Sequence, residues 1–255
     1  MNILNKIIAG INKDEEANFH AFSPGSFSLK KREKPRDILR RLKQEFCLIA
    51  EVKKSSPSRG LIKEDLDPVE LALSYQQAGA AAISVVTEKN FFAGQKEYLS
   101  VVKDKVQIPV LRKDFLVHPY QIYESYNLGA DFILLIAASL SKENLKMMYE
   151  TSSALGMEVL VEVHNEEDIE KTLPLKPSII GINNRNLQTF KVDFRTSLRL
   201  RKYIPPDVNL ISESGISSPE QIAILRKEGF SGVLIGEYLL RQKDVAEAIR
   251  ELMNG

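Results

Sequence analysis

Apolar residues near the start of the chain recur with a helical period. Leu4, Ile7, Ile8 and Ile11 stand at i, i+3, i+4 and i+7, the mark of an amphipathic helix. An irregular stretch, Phe19 to Phe27, comes next, and then a basic run from Lys30 to Arg41 that contains Pro35. Proline is tolerated in a first helical turn, so Pro35 is read as a helix start and the basic run as its solvated face. From Cys47 onward the pattern becomes regular. Short runs rich in Val, Ile and Leu are expected as strands at 47–52, 81–86, 108–111, 132–137, 158–163, 179–182, 209–211 and 232–235. Amphipathic segments lie between them, with helices expected at 68–78, 119–128, 142–155 and 218–228 and a last one at 244–253. Gly79, Gly129, Gly156 and Gly229 follow these helices as C-terminal stops.

Successive strands begin 21 to 34 residues apart, the length of a strand, a crossover helix and their loops. Eight such units in a row predict an α/β fold, a closed (β/α)8 TIM barrel. A doubly wound open sheet is the competitor, but no G-x-G-x-x-G turn is present. No low-complexity linker divides the chain, so residues 1–255 are read as one barrel domain with residues 1–45 as a helical N-terminal extension.

Composition narrows the functional classes. With 44% hydrophobic and 27% charged residues, 255 residues suffice for a full core without staples. Lys plus Arg number 35 against 34 Asp plus Glu, so nothing marks a nucleic-acid or anionic-membrane partner. A small anionic ligand needs only a local cluster of donors and stays open. The single cysteine, Cys47, allows no internal disulfide, and His20, His118 and His164 show no ligand spacing, so no metal site is expected. Runs such as Phe132 to Ala138 are too short to span a membrane, and Met1 to Ile11 lacks a signal core. A cytoplasmic monomer is the expectation.

Barrels carry their chemistry at the C-terminal ends of the strands. The first strand runs into Ala50-Glu-Val-Lys-Lys-Ser-Ser-Pro-Ser-Arg59, where period-two alternation puts Glu51 and Lys53 on one face and Val52 on the other. The third ends in Val110-Leu-Arg-Lys-Asp-Phe115, so either Arg112 and Asp114 or Lys113 and Phe115 point inward. Glu162 closes the fifth strand, Asn183 and Arg185 follow the sixth, and Ser212-Glu-Ser-Gly215 ends the seventh. Charges at a barrel mouth are costly unless paired or used, and acids and lysines from separate strands meet here on one rim. After the last two strands, Ser214-Gly215-Ile216 and Ile235-Gly236-Glu237 precede helical segments. Glycines let backbone N–H groups approach an anion, which makes these loops a phosphate site.

These motifs, in this order, resemble the indole-3-glycerol-phosphate synthase family. The strings that carry the resemblance are Ile49-Ala-Glu-Val-Lys-Lys-Ser-Ser-Pro-Ser58, Leu111-Arg-Lys-Asp-Phe115, Tyr126-Asn-Leu-Gly-Ala-Asp131, Gly181-Ile-Asn-Asn-Arg-Asn-Leu187, Ser212-Glu-Ser-Gly-Ile216 and Leu234-Ile-Gly-Glu237. The resemblance runs from Phe46 to Leu240 and implies a lyase reaction without cofactor or metal. Its substrate would be 1-(2-carboxyphenylamino)-1-deoxyribulose 5-phosphate, converted by ring closure, decarboxylation and dehydration to indole-3-glycerol phosphate in tryptophan biosynthesis. By the same resemblance Lys113 is the acid for ring closure. Lys53 binds the carboxylate or acts in dehydration, Glu162 stabilises the anilino cation or takes a proton, and Glu51 positions Lys53 or serves as base.

Asn183, Arg185 and Ser214 then hydrogen-bond substrate or catalytic groups. Ser56, Gly215, Gly236 and the backbone of Glu237 hold the phosphate, with Glu213 beside them, and Phe115 and one of Phe91 or Phe92 pack on the aromatic ring. Leu187 is a pocket wall or packing, and His164 is read as a loop histidine without a chemical duty. Three rivals remain. Phosphoribosylanthranilate isomerase would need a cysteine near a strand end, and Cys47 begins its strand. A Schiff-base aldolase would need Lys113 uncharged, against two nearby carboxylates. A barrel that only binds a phosphorylated ligand is the third.

Overall fold

The first and last strands of the sheet are hydrogen-bonded to each other, so the sheet has no edge. In a computed structural model, which describes residues 3–57, 60–61 and 65–253, β1 (Cys47–Val52) pairs in parallel with β2 (Ala82–Val86) and with β8 (Gly232–Ile235). Between them run β3 (Val110–Lys113), β4 (Phe132–Ile136), β5 (Glu158–Val163), β6 (Ile179–Asn183) and β7 (Asn209–Glu213), each parallel to its neighbours in chain order. This is the expected (β/α)8 barrel. The third strand sits about two residues later than its hydrophobic run suggests, because Arg112 and Lys113 extend it into the mouth. Ser58 and Arg59, which end the first-strand string, lie outside the described residues.

Alternation divides each strand between two cores. Ile49, Leu111, Phe132, Leu134, Leu160, Ile211 and Leu234 fill the barrel interior. Leu48, Val52, Ile83, Val85, Ile133 and Val161 face the surrounding helices. Cys47 and Ile49 point inward, so Glu51 shares their parity and stands above them at the mouth. The same parity decides the third strand: Leu111 and Lys113 face in, while Arg112 faces the helices. There Arg112 is fully buried, with Nη2 3.1 Å from Asp114 Oδ2 and Nη1 2.8 Å from Glu124 Oε2.

Three helices precede the barrel: α1 (Ile3–Asp14), α2 (Glu16–Ala21) and α3 (Ile38–Gln44). The helices that the pattern marked follow, to within about one residue. They are α4 (Pro68–Gln77), α6 (Pro119–Leu128), α7 (Lys142–Ala154), α10 (Pro219–Lys227) and the final α12 (Val245–Met253). Between them stand α5 (Lys96–Lys105), α8 (Glu166–Thr172), α9 (Arg195–Arg201) and the single turn α11 (Glu237–Leu240). Asp67 caps α4 by accepting N–H bonds from Val69 and Glu70, and Ser218 forms a capping box with Gln221 on α10. Gly79, Gly129, Gly156 and Gly229 all adopt positive φ after their helices. None of the helices is long and apolar enough to cross a membrane, among the described residues.

The N-terminal extension corrects two expectations. Only the end of the basic run, Arg40 and Arg41, lies on a helix, and Pro35 does not start one. From Phe27 the chain is irregular up to Asp37, which caps α3 through a 3.0 Å bond from the Arg40 N–H. The reason is Asp131, a fully buried carboxylate at the start of β4 that draws the backbone N–H of Arg36 to 2.7 Å. Asp131 also accepts from the Val110 N–H at 2.8 Å and from Lys103 Nζ at 2.5 and 2.7 Å. Arg32 donates to the Tyr126 and Ala130 carbonyls, and Arg36 to that of Ile108. Arg32 and Arg36 therefore strap the extension to the barrel floor.

The stretch from Phe19 to Phe27 is more ordered than expected. Helix α1 buries Leu4, Ile7 and Ile11, and α2 already contains Phe19. Phe19 stacks on His118 at 4.2 Å, and Phe22 and Phe27 pack against Tyr120 and Tyr123 of α6. Two polar links add to this contact: Asn90 Nδ2 to Asp14 Oδ2 at 2.9 Å, and Lys96 Nζ to Glu15 Oε1 at 2.5 Å.

Removing one partner from a buried ion pair strands the other, at a cost of about 3 to 5 kcal/mol. Asp131→Ala is therefore expected to lower unfolding stability by about that amount. Urea unfolding followed by circular dichroism measures it, and a loss well under about 1 kcal/mol would show that the strap is dispensable.

Candidate active site at the barrel mouth

The strand-end residues assigned to a site from the sequence all line one cavity of about 770 Å³ at the C-terminal end of the barrel. Glu51, Lys53, Lys113, Glu162 and Glu213 form its charged floor. Asn183, Arg185 and Leu187 come from the end of β6 and the loop beyond it. Ser56, Ser214, Gly215, Gly236 and Glu237 line the side toward β1, β7 and β8, and Phe92 and Phe115 the side toward β2 and β3. Phe92, not Phe91, faces the cavity, and its ring centroid lies 6.1 Å from that of Phe115.

Lys113 is the centre of the floor. Its Nζ lies 3.1 Å from Glu162 Oε2 and 3.0 Å from Glu213 Oε2. Burial alone would depress the ammonium, but Glu213, Glu162 and Glu51 together raise it well above the ordinary lysine range. Glu51 places Oε1 2.5 Å from Lys53 Nζ. Burial pushes the Glu51 carboxyl up, and the Lys53 and Lys113 ammoniums outweigh it, so Glu51 stays below its usual value.

Glu162 and Glu213 share one ammonium and diverge. Burial raises Glu213, Lys113 opposes that, and the neighbouring Glu162 adds to it, so Glu213 is pushed up to about 7. Burial also acts on Glu162, but Lys113 and His164 hold it well below the ordinary carboxylate range. Two carboxylates around one cation thus take different proton affinities, the arrangement that separates an acid from a base. Glu213, expected beside the phosphate-holding residues, lies on this floor with its Oε2 3.0 Å from Lys113 Nζ.

Two glycines make room for these acids. A Cβ on Gly181 of β6 would run into Glu213 Oε1, and one on Gly236 would run into Glu51 Oε1. Only a residue without a side chain lets the neighbouring carboxylate lie flat against the strand.

The wall expected from the sequence to hold a phosphate is built from β7 and β8. Ser214 and Gly215 take φ of 66° and 77°. The Ser214 carbonyl accepts from Asn184 Nδ2 at 3.0 Å, and the Gly215 carbonyl from Gln221 Nε2 at 3.1 Å. With these carbonyls bound below, the turn keeps its shape at the cavity wall. The Glu237 carboxylate sits 3.6 Å from Arg185 Nη2 and 3.1 Å from Arg241 Nη2. Asn183 Oδ1 accepts the Arg185 N–H at 3.0 Å, which sets the path of the chain into the β6 loop.

Several contributors were not anticipated. Ile3, Leu4 and Ile7 of α1 and Thr189 to Val192 of the β6 loop also line the cavity. Glu88 takes the backbone N–H groups of Asn90, Phe91 and Phe92 at 2.7 to 3.0 Å and so orders the turn that presents Phe92. His164, just past the end of β5, places Nε2 3.2 Å from Glu162 Oε1. Glu162 and His164 are alternate residues at one strand end, which puts them on one face. No such signal marked Glu88 or the first turns of α1, which reach the cavity only through folding.

The family model for indole-3-glycerol phosphate synthase matches residues 4–252. The chain belongs to the indole-3-glycerol phosphate synthase family. The synthase of Endomicrobium trichonymphae is 54% identical over 204 residues, 80% of this chain and 79% of that protein. The synthase of Aliarcobacter butzleri (strain RM4018) is 48% identical over 225 residues, 87% of this chain and 86% of its own. A solved structure of KGPDC from Streptococcus mutans superposes with a TM-score of 0.62 at 14% identity, over 82% of this chain and 96% of that one. That likeness extends to the barrel fold alone.

The split between the paired acids of this synthase-family site is directly measurable. Carboxyl-carbon NMR is expected to show Glu213 titrating near 7. In Glu162→Gln its midpoint is expected to fall, because the negative neighbour is gone while Lys113 remains. An unchanged midpoint would mean that the two acids do not share Lys113.

Proposed function

We propose that the chain converts 1-(2-carboxyphenylamino)-1-deoxyribulose 5-phosphate to indole-3-glycerol phosphate, carbon dioxide and water, as a carboxy-lyase of tryptophan biosynthesis. The observation that carries this reading is a charged Lys113 held between Glu162 and Glu213, with an aromatic wall on one side and the Ser214–Gly215 and Gly236–Glu237 turns on the other. A phosphate, a carboxylate, an aromatic ring and a ketone each have a matching surface.

In the proposed sequence the carboxylate-bearing ring carbon attacks the ketone carbon, and the carbonyl π pair moves to oxygen. Lys113 protonates that oxygen as the carbon–carbon bond forms. Loss of carbon dioxide returns the C–C bond pair to the ring and restores aromaticity. The new hydroxyl then leaves as water while the methylene carbon beside the anilino nitrogen gives up a proton, which makes the indole double bond and keeps the N–H. Lys53 holds the substrate carboxylate or protonates the leaving hydroxyl. Glu51, at 2.5 Å from Lys53, sets its position or acts as the base. Glu162, ionised beside Lys113, stabilises the anilino cation or accepts its proton. Asn183, Arg185 and Ser214 bind around these centres. Ser56, Gly215, Gly236 and the Glu237 backbone hold the phosphate, while Phe92, Phe115 and Leu187 cover the ring.

The rival chemistries have less support. An aldolase lysine must be free of its proton to attack a carbonyl, and three carboxylates keep Lys113 protonated. For the isomerase, Cys47 lies buried at the opposite end of β1, where burial pushes its thiol up to about 12.

The assay follows the indole chromophore. Wild type is expected to turn over, and Lys113→Ala to lose at least about a hundredfold in kcat while still binding a substrate analogue, the usual scale for a general acid. A folded wild type that binds the analogue without turnover would identify a binding-only barrel.

A further inference from the structure

Among the described residues, the mouth of the barrel holds more buried negative charge than its lysines answer. Glu51, Glu162 and Glu213 there face Lys53 and Lys113 on the floor, and all three acids are almost fully buried. An uncompensated buried carboxylate is costly, so a further cation or a proton is required. His164 stands where that cation would act. Its Nε2 lies 3.2 Å from Glu162 Oε1, the oxygen that Lys113 does not take, and its Nδ1 lies 3.7 Å from Asp168 Oδ2. Both ring nitrogens are closed off from solvent, and neither meets hydrogen-bond geometry in this ring orientation, so the contacts become ion pairs when the ring is protonated.

Asp168 is itself anchored. It accepts the His164 backbone N–H at 2.9 Å, and its own N–H is capped by Asn165 Oδ1 at 2.9 Å. The other charged groups of its helix, α8, do not compete. Glu166 is paired with Arg199, Lys171 donates to the Ala137 and Leu140 carbonyls, and Glu167 and Glu170 are exposed. The charges that bear on His164 are therefore Glu162 from β5 and Asp168 from α8, with Lys113 reached only through Glu162.

We propose that His164, seated on Asp168, is a positioning residue: it neutralises Glu162 through Oε1, keeps Oε2 on Lys113, and so leaves the proton shared by the two acids on Glu213. The asymmetry of the site follows from this, because no such cation touches Glu213; its Oε1 has no hydrogen-bond partner among the described residues. His164 never reaches the substrate; it acts through Glu162. Burial opposes its charge, and Asp168 and Glu162 raise it to about 9, which agrees with an imidazolium at neutral pH.

The proposal rests on the synthase reading for its kinetic consequence but not for its resting-state signature, and the two are tested separately. Imidazole NMR on the free protein, which has only three histidines, is expected to show His164 titrating near 9 and moving toward 6.5 in Glu162→Gln and in Asp168→Asn. A midpoint near 6.5 in wild type, or one indifferent to Glu162→Gln, overturns the proposal whether or not the protein turns over. With substrate, His164→Gln is expected to lose about tenfold in kcat with KM within about twofold, and to move the acid limb of the kcat profile up by about one unit, because Glu162 without its cation binds a proton more tightly.

His164→Lys, which restores a cation, is expected to recover kcat to within about threefold. A His164→Gln protein with unchanged kcat and acid limb but a lower Tm would show a purely structural role and overturn the proposal. Should wild type fail to turn over while His164 titrates as expected, the ion pair stands and the synthase reading falls.

Discussion

Closure of the sheet is the constraint on which the remaining structure depends. Pairing of β1 with β8 brings the last strand back to the first and leaves no edge to cover. It also forces eight strand ends onto one rim. Residues as distant in sequence as Glu51 and Glu237 then line one cavity, on backbone held from both sides. A site that needs several charges in fixed positions gains from that rigidity, since each charge is carried by a strand end and not by a mobile loop.

Burying those charges creates the second problem, and the molecule solves it by pairing and by subtraction. Lys113 is shared by Glu162 and Glu213, Lys53 is taken by Glu51, and His164 stands on the remaining oxygen of Glu162. Gly181 and Gly236 remove side chains where Glu213 and Glu51 must lie. Behind the strand the pattern repeats in a dry setting. Arg112 is enclosed with Asp114 and Glu124, and Glu124 reaches Lys96 and, through it, Glu15 of the N-terminal extension. That chain of ion pairs ties the extension to the strand that carries Lys113. It anchors α1, whose first turns line the cavity, to the same strand.

Much of this architecture was legible in the order of residues. Hydrophobic runs alternating with amphipathic segments marked eight strands, four of the crossover helices and the final helix. Period two then placed Glu51 and Lys53 on one face, and position at strand ends placed Glu162 and the glycines of the last two loops at the mouth. These features are local: they follow from the two-residue repeat of a strand, the 3.6-residue repeat of a helix, and the rule that barrel chemistry lies at strand C-termini. For β3 the local pattern left two registers open, and parity with Leu111 inside the closed barrel selected Lys113 over Arg112.

What only the tertiary structure decided is who meets whom. The sequence determined that acids and lysines would stand at one rim, because facing direction along a strand is a property of that strand alone. It could not say that Lys113 would be shared by Glu162 and Glu213, that His164 would be drawn onto Glu162, or that Phe92 rather than Phe91 would face the cavity. Nor could it say that the basic run would leave its expected helix to reach Asp131 and the carbonyls of the barrel floor. The pairings of Lys113 with Glu162 and of Arg36 with Asp131 span 49 and 95 residues of chain. Once folding has removed water from a carboxylate such as Asp131, pairing it outweighs the local preference of the segment that supplies the partner.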